Sequence, residues 1–238
     1  MFTWPRLLAS GLVTLAACGG ASSSDPYDAG DTASSSVDGG LGVPDAPEFD
    51  PGRFATRVVS FTPGACAGFG QDHLPDIVLG PPEGGGGIKG SLDVLSLGNG
   101  GVVTVAVEGL VDLPGADFIV FENPFFIGGN ASRVYAEPGE VSVSNDGITW
   151  ATFPCDPTLS TSPGCAGRRP VYASEASGIS PFDLERAGGD PFDLADIGVT
   201  SAQFVRIRDR TEQPCSTGPG APTMNGFDLD AIAVLHAP

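Results

Sequence analysis

Apolar side chains come in short runs along this chain, each closed by Gly, Pro or Asn, the residues that turn a backbone. The runs are Arg57 to Phe61, Asp76 to Leu79, Ser91 to Leu97, Val102 to Val107, Asp117 to Phe121, Glu140 to Ser144, Ile148 to Phe153, Gln203 to Arg208 and Asp228 to Leu235. Apolar positions at helical spacing never persist for the length of a helix. The pattern predicts an all-β domain, an antiparallel β-sandwich or jelly roll. One hairpin is explicit: VSVS alternates apolar and hydroxyl side chains, Asn145-Asp146-Gly147 turns the chain, and ITW returns. Asp117 to Phe121 and Ile232 to Leu235 carry apolar residues at successive positions, which predicts strands covered on both faces.

The first residues follow a different pattern. Arg6 precedes an apolar stretch from Leu7 to Leu15 that is too short to cross a bilayer, and small residues lead to Cys18. Leu15-Ala16-Ala17-Cys18 resembles the bacterial lipobox, whose cysteine is lipidated and becomes the new N-terminus. Gly19 stands where some bacteria place an inner-membrane retention aspartate, so the expected location is the outer membrane or cell surface, with the acyl anchor held by membrane lipid. From Cys18 to Asp50 the chain is rich in Gly, Ser, Asp and Pro and has too few large apolar side chains to offset the entropy of ordering. The expected organisation is a signal peptide over 1–17, the lipidated cysteine and a tether over 18–50, and one β-sandwich domain over 51–238.

Charge narrows the partners. Eleven Lys and Arg face 29 Asp and Glu, for a net charge of −18. Such a surface repels nucleic acid and anionic headgroups and favours divalent cations. With Cys18 used for lipid, Cys66, Cys155, Cys165 and Cys215 form an even set in an oxidising compartment. Three pairings are open. The loop DPTLSTSPG favours Cys155 with Cys165, which leaves Cys66 for Cys215. No Cys or Cys/His spacing reads as a zinc site.

The segments LPDIVLGPPEG, GSLDVLSLGNGGVVTVAVEG, LPGADFIVFENPF, VSVSNDGITWATFP, AGGDPFDLADIG, FVRIRD and NGFDLDAIAV together resemble a family of bacterial cell-surface proteins. The resemblance runs from about Phe54 to Val234. It implies a galactose-binding-like jelly roll, the architecture of discoidin-type and many carbohydrate-binding modules, and it implies no reaction.

Hard oxygen donors gather in the same segments. Asp117, Glu122 and Asn123 bracket one strand, Asp190 lies in AGGDPFD, Asp209 closes FVRIRD, and Asp228 and Asp230 flank Leu229. Strand alternation places Asp228 and Asp230 on one face. Calcium takes six to eight such oxygens, so these seven residues are the expected ligands of a structural calcium. In carbohydrate-binding modules of this architecture an aspartate at the start of the final strand holds a structural calcium, and Asp228 or Asp230 matches it. The alternative is that the carboxylates cap loops or solvate the surface. Phe125, Phe126, Tyr135 and Tyr172 are candidate sugar-stacking rings, and Trp150 reads better as core. The paired carboxylates Asp117/Glu122 and Asp228/Asp230 are formally available for glycoside hydrolysis. His73 and His236 read as surface residues, and GGGG at Gly84 to Gly87 as a flexible turn. The expected function is non-catalytic recognition of an extracellular polysaccharide or envelope component. An adhesive envelope protein, or a glycan-active hydrolase or lyase, is the alternative.

Overall fold

The computed structural model describes residues 49–215 and 225–236. The signal segment, Cys18 and the tether up to residue 48 lie outside the described residues. In chain order the strands are β1 (Arg57–Thr62), β2 (Leu95–Ser96), β3 (Val102–Val111), β4 (Phe118–Phe121), β5 (Phe125–Phe126), β6 (Val134–Tyr135), β7 (Gly139–Ser144), β8 (Ala151–Thr152), β9 (Asp190–Phe192), β10 (Ser201–Asp209), β11 (Asp228–Leu229) and β12 (Ala231–Val234). Among the described residues the only helical turns are short 3-10 segments. The fold is all-β and every strand pair is antiparallel.

Two sheets make the sandwich. One is five-stranded in the order β1-β3-β10-β7-β8, and the other is three-stranded in the order β12-β4-β9. Alternation does the sorting: Val103, Val105, Val141, Val143, Val205 and Ile207 point inward, while Thr104, Ser142 and Arg206 stand in the rows between them. Facing them are Phe118, Val120, Phe192, Ile232 and Val234 of the smaller sheet. Each such side chain contributes roughly 1.5–3 kcal/mol by leaving water. The alternate residues of the same small sheet, Ile119, Phe121, Ala231 and Ala233, pack outward under Phe54, Val171, Ala173 and Ala187. The small sheet is therefore covered on both sides, as its unbroken apolar runs predict.

Several elements depart from the sequence pattern. Asp76 to Leu79 is a 3-10 turn over Asp76–Val78 instead of a strand, since Pro81 and Pro82 follow it and can donate nothing to a ladder. Ser91 to Leu97 pairs only at Leu95–Ser96. In the predicted hairpin, Asp146 Oδ1 accepts from the Ile148 and Thr149 amides, so the turn is longer and the return strand is only Ala151–Thr152. The last run divides at Asp230, where the chain leaves β2 and joins β4. Strand β9 contains Pro191, which is tolerated because β9 lies at the sheet edge. Phe49 packs edge-on against Phe54 and Phe182.

Both favoured disulfides form: Cys155 joins Cys165 and Cys66 joins Cys215. The GGGG turn is not merely flexible, because Gly84 and Gly86 donate to the Ala173 and Val171 carbonyls and a Cβ on Gly84 would fall 2.4 Å from the Val171 oxygen.

Candidate metal centre

Three carboxylates meet where β4, β11 and the turn between β6 and β7 converge. Glu122 follows the last residue of β4, Asp228 opens β11, and Glu137 lies two residues before β7. One oxygen from each lies within 4.8 Å of one oxygen from each of the others, and all three residues are buried. Pairing places them. Ala231 sits opposite Phe121, and Asp230 N–H donates to the Phe121 carbonyl, so the chain just before it runs past Glu122. Asp228 N–H then donates to Glu122 Oε1, and Gly226 N–H to Glu137 Oε1.

The remaining oxygens are not all satisfied. Glu122 Oε2 and Asp228 Oδ1 are buried without a hydrogen-bond partner. No Arg or Lys among the described residues makes an ion pair with any of the three. Burial, and after it the neighbouring Asp228 and Glu137 carboxylates, push the Glu122 carboxyl well above its ordinary range. Burial followed by Asp228 raises Glu137 to about 8, and burial raises Asp228 to about 6 despite the Ser96 and Asn123 side chains beside it. Three buried acids without a counter-cation either hold protons or share a cation, and the two orphaned oxygens are the form a hard-cation site takes.

The other expected ligands separate into distinct roles. Asp209 encloses the same corner but spends both oxygens on backbone, Oδ1 on Phe227 N–H and Oδ2 on Gly100 and Thr211 N–H. Asn123 clasps Ser91, accepting from its amide and donating to its carbonyl at 3.1 Å. Asp117 cannot join this group, because five residues of extended chain separate it from Glu122 by about 17 Å. Its oxygens accept from Leu113 and Leu194 N–H, and Asp112 and Asp193 are the acids near it. Asp190 accepts from Arg168 and Arg169 N–H and holds that loop to β9. Asp230 takes the Glu83 amide on Oδ1, leaves Oδ2 without a partner, and faces Asp93 and Glu83 instead of Asp228. The change of ladder at Asp230 is what breaks the expected one-faced pair. Glu137 is the member of this buried group that sequence reasoning missed. Its signal was position alone: an acid beside Pro-Gly at the base of a short hairpin.

The carboxylate pairs considered for glycoside hydrolysis do not form one. Asp117 and Glu122 are too far apart, and Asp228 and Asp230 face different neighbours. Glu122, Glu137 and Asp228 are at most 5% exposed, which leaves no path for a sugar to reach them. His73 is exposed beside Asp72, whereas His236 is only 31% exposed, with Nε2 3.9 Å from Asp117 Oδ1.

The candidate stacking rings divide into two pairs. Phe125 and Tyr135 face each other across the β5–β6 ladder with centroids 5.2 Å apart. Phe126 and Tyr172 flank Gly87, where a Cβ would fall 2.7 Å from the Phe126 ring and 3.0 Å from the Tyr172 hydroxyl. Tyr172 is the most exposed of the four. Trp150 is half-buried beneath the Arg206 guanidinium, 4.1 Å from its ring centroid, instead of lying in the core. Neither the family models nor the curated proteins compared with this chain give a match.

Proposed function

We propose that this protein is an exported, lipid-anchored surface lipoprotein whose β-sandwich is a non-catalytic glycan-binding module stabilised by one structural calcium. The observation that carries the calcium is the buried group of Glu122, Glu137 and Asp228, with two carboxylate oxygens that nothing in the described protein satisfies. The ion would bring together the end of β4, the turn before β7 and the start of β11, all hard-oxygen donors of the kind calcium prefers. Export rests on the Leu15-Ala16-Ala17-Cys18 segment and agrees with two disulfides, which persist in oxidising compartments. The resemblance to cell-surface proteins of galactose-binding-like architecture supports a glycan ligand. The half-buried aromatic hairpin beside the carboxylates is a surface for it.

Thermal unfolding tests the ion directly. A cation bound only by the folded state, present at a hundredfold excess over its Kd, stabilises by about 2.7 kcal/mol, which for a domain of this size raises Tm by about 5–10 °C. Glu122→Gln removes the cost of protonating or burying this carboxyl, so it is expected to raise Tm in chelator and to abolish the calcium response. An unchanged Tm for the natural chain at millimolar calcium removes the metal from the proposal. Mass spectrometry of the mature N-terminus checks the anchor: an unprocessed Met1 or an unmodified Cys18 overturns it.

A further inference from the structure

A second feature lies beside the aromatic hairpin and does not use the carboxylates. Between β6 and the loop closed by Cys155–Cys165 runs a cleft lined in part by Arg133, Arg168, Ser160, Thr161, Val134 and Ile127. Its chemistry is the reverse of the whole molecule. The chain has 29 Asp and Glu against 11 Lys and Arg, yet among the described residues that line this cleft none is an acid and two are arginines. Neither guanidinium makes an ion pair among the described residues, and Arg133 is exposed. Arg168 is half-buried and fixed by its backbone, whose N–H donates to Asp190 Oδ2 at 2.7 Å, and its charge also acts on that carboxylate. Ser160 and Thr161 are exposed on the disulfide-closed loop, and Val134 and Ile127 add exposed apolar surface to the lining.

We propose that this cleft binds an acidic sugar unit, with Arg133 and Arg168 on its anionic group, Ser160 and Thr161 on ring hydroxyls, and Val134 with Ile127 under its apolar face. The proposal rests on the glycan-binding reading and names the ligand class and the place. Each part of the cleft suits one part of such a molecule. Guanidinium forks donate paired hydrogen bonds to a carboxylate or sulfate. Hydroxyls exchange donor and acceptor roles with sugar hydroxyls, and the C–H face of a pyranose needs a small apolar floor. The acidity of the rest of the molecule does not forbid this. Charges are screened beyond about 8 Å at physiological ionic strength, so the guanidiniums in contact decide affinity. The distant acids act mainly to slow the approach of long polyanions.

The test is titration calorimetry of the full chain, in calcium, with trigalacturonate, its uncharged methyl ester, a sulfated disaccharide and a DNA oligonucleotide. Binding of an acidic sugar is expected, with the ester at least about tenfold weaker. Preference for carboxylate or for sulfate identifies which acid the guanidiniums receive and upholds the proposal either way. Arg133→Gln/Arg168→Gln is expected to weaken the preferred acid by about tenfold or more with only a small change in Tm, because neither guanidinium makes an ion pair among the described residues. Equal binding of acid and ester, or full binding by the double variant, overturns the proposal and leaves glycan recognition standing. Tighter binding of DNA than of either acidic sugar also overturns it. No binding of any saccharide at millimolar concentration removes both this proposal and the glycan reading.

Discussion

Asp190 shows how a residue singled out by its chemistry can stand in a setting that its local sequence does not reveal. A carboxylate in a Gly-rich loop suggests a cation, yet here both partners are backbone N–H groups, from Arg168 and Arg169. Burial outweighs those hydrogen bonds and raises its pKa to about 6. An acid whose folded-state pKa exceeds its unfolded value stabilises fully below the unfolded value and loses that contribution as pH rises through the folded one. Asp190 is thus expected to make the protein more stable near pH 4 than above pH 6, by about 3 kcal/mol at most. Asp190→Asn keeps an acceptor for the same N–H groups without the charge. Its denaturation free energy, measured in chelator from pH 4 to 7, should lose that part of the pH slope. A slope identical to that of the natural chain rules the assignment out. Glu122 and Asp228 were legible because they flank strong strand patterns. Glu137 was not, since convergence of three segments is a long-range property that no local spacing records.

Strands announced themselves wherever alternation and burial coincided. VSVS of β7 alternates valine with serine and is buried throughout, and the runs of β4 and β12 are apolar and buried at every position. The pattern failed where an apolar residue had another reason to be present. Ile148 is 84% exposed on an extended turn held by Asp146, and Ile77 with Val78 packs on the core from a 3-10 segment. Strand β9 was hidden by its proline and by its length of three residues. Its contribution is nonetheless central: Phe192 stacks on Phe118 at 5.2 Å, and Phe153 meets both rings edge-on. Phe118→Ala is expected to lower stability by about 3–5 kcal/mol, whereas Ile148→Ala should stay within about 0.5 kcal/mol of the natural chain. Equilibrium urea denaturation distinguishes them, and comparable effects from the two substitutions would contradict this account of the core.

Across the molecule, the two disulfides differ in what they constrain. Cys66–Cys215 closes a separation of 149 residues and Cys155–Cys165 one of 10. Loop-closure entropy assigns about 5 kcal/mol to the first and about 2.7 kcal/mol to the second. Replacing Cys66 and Cys215 with Ser should therefore lower the denaturation midpoint more than replacing Cys155 and Cys165. The opposite ranking would show that local order around the shorter loop outweighs chain entropy.

The segment just before β1 also meets the last strand. Ala55 N–H donates to the Ile232 carbonyl, Phe54 bridges Ala233, and the Arg53 guanidinium donates to the Val234 and Leu235 carbonyls. A ribosome delivers Arg53 to Ala55 long before β12 exists, so a nascent chain must wait for Ala231–Val234 before the interior can close. The same adjacency makes the body a candidate for circular permutation, with a few glycines joining His236 to Phe49 and new ends cut at the exposed tip around Asn130.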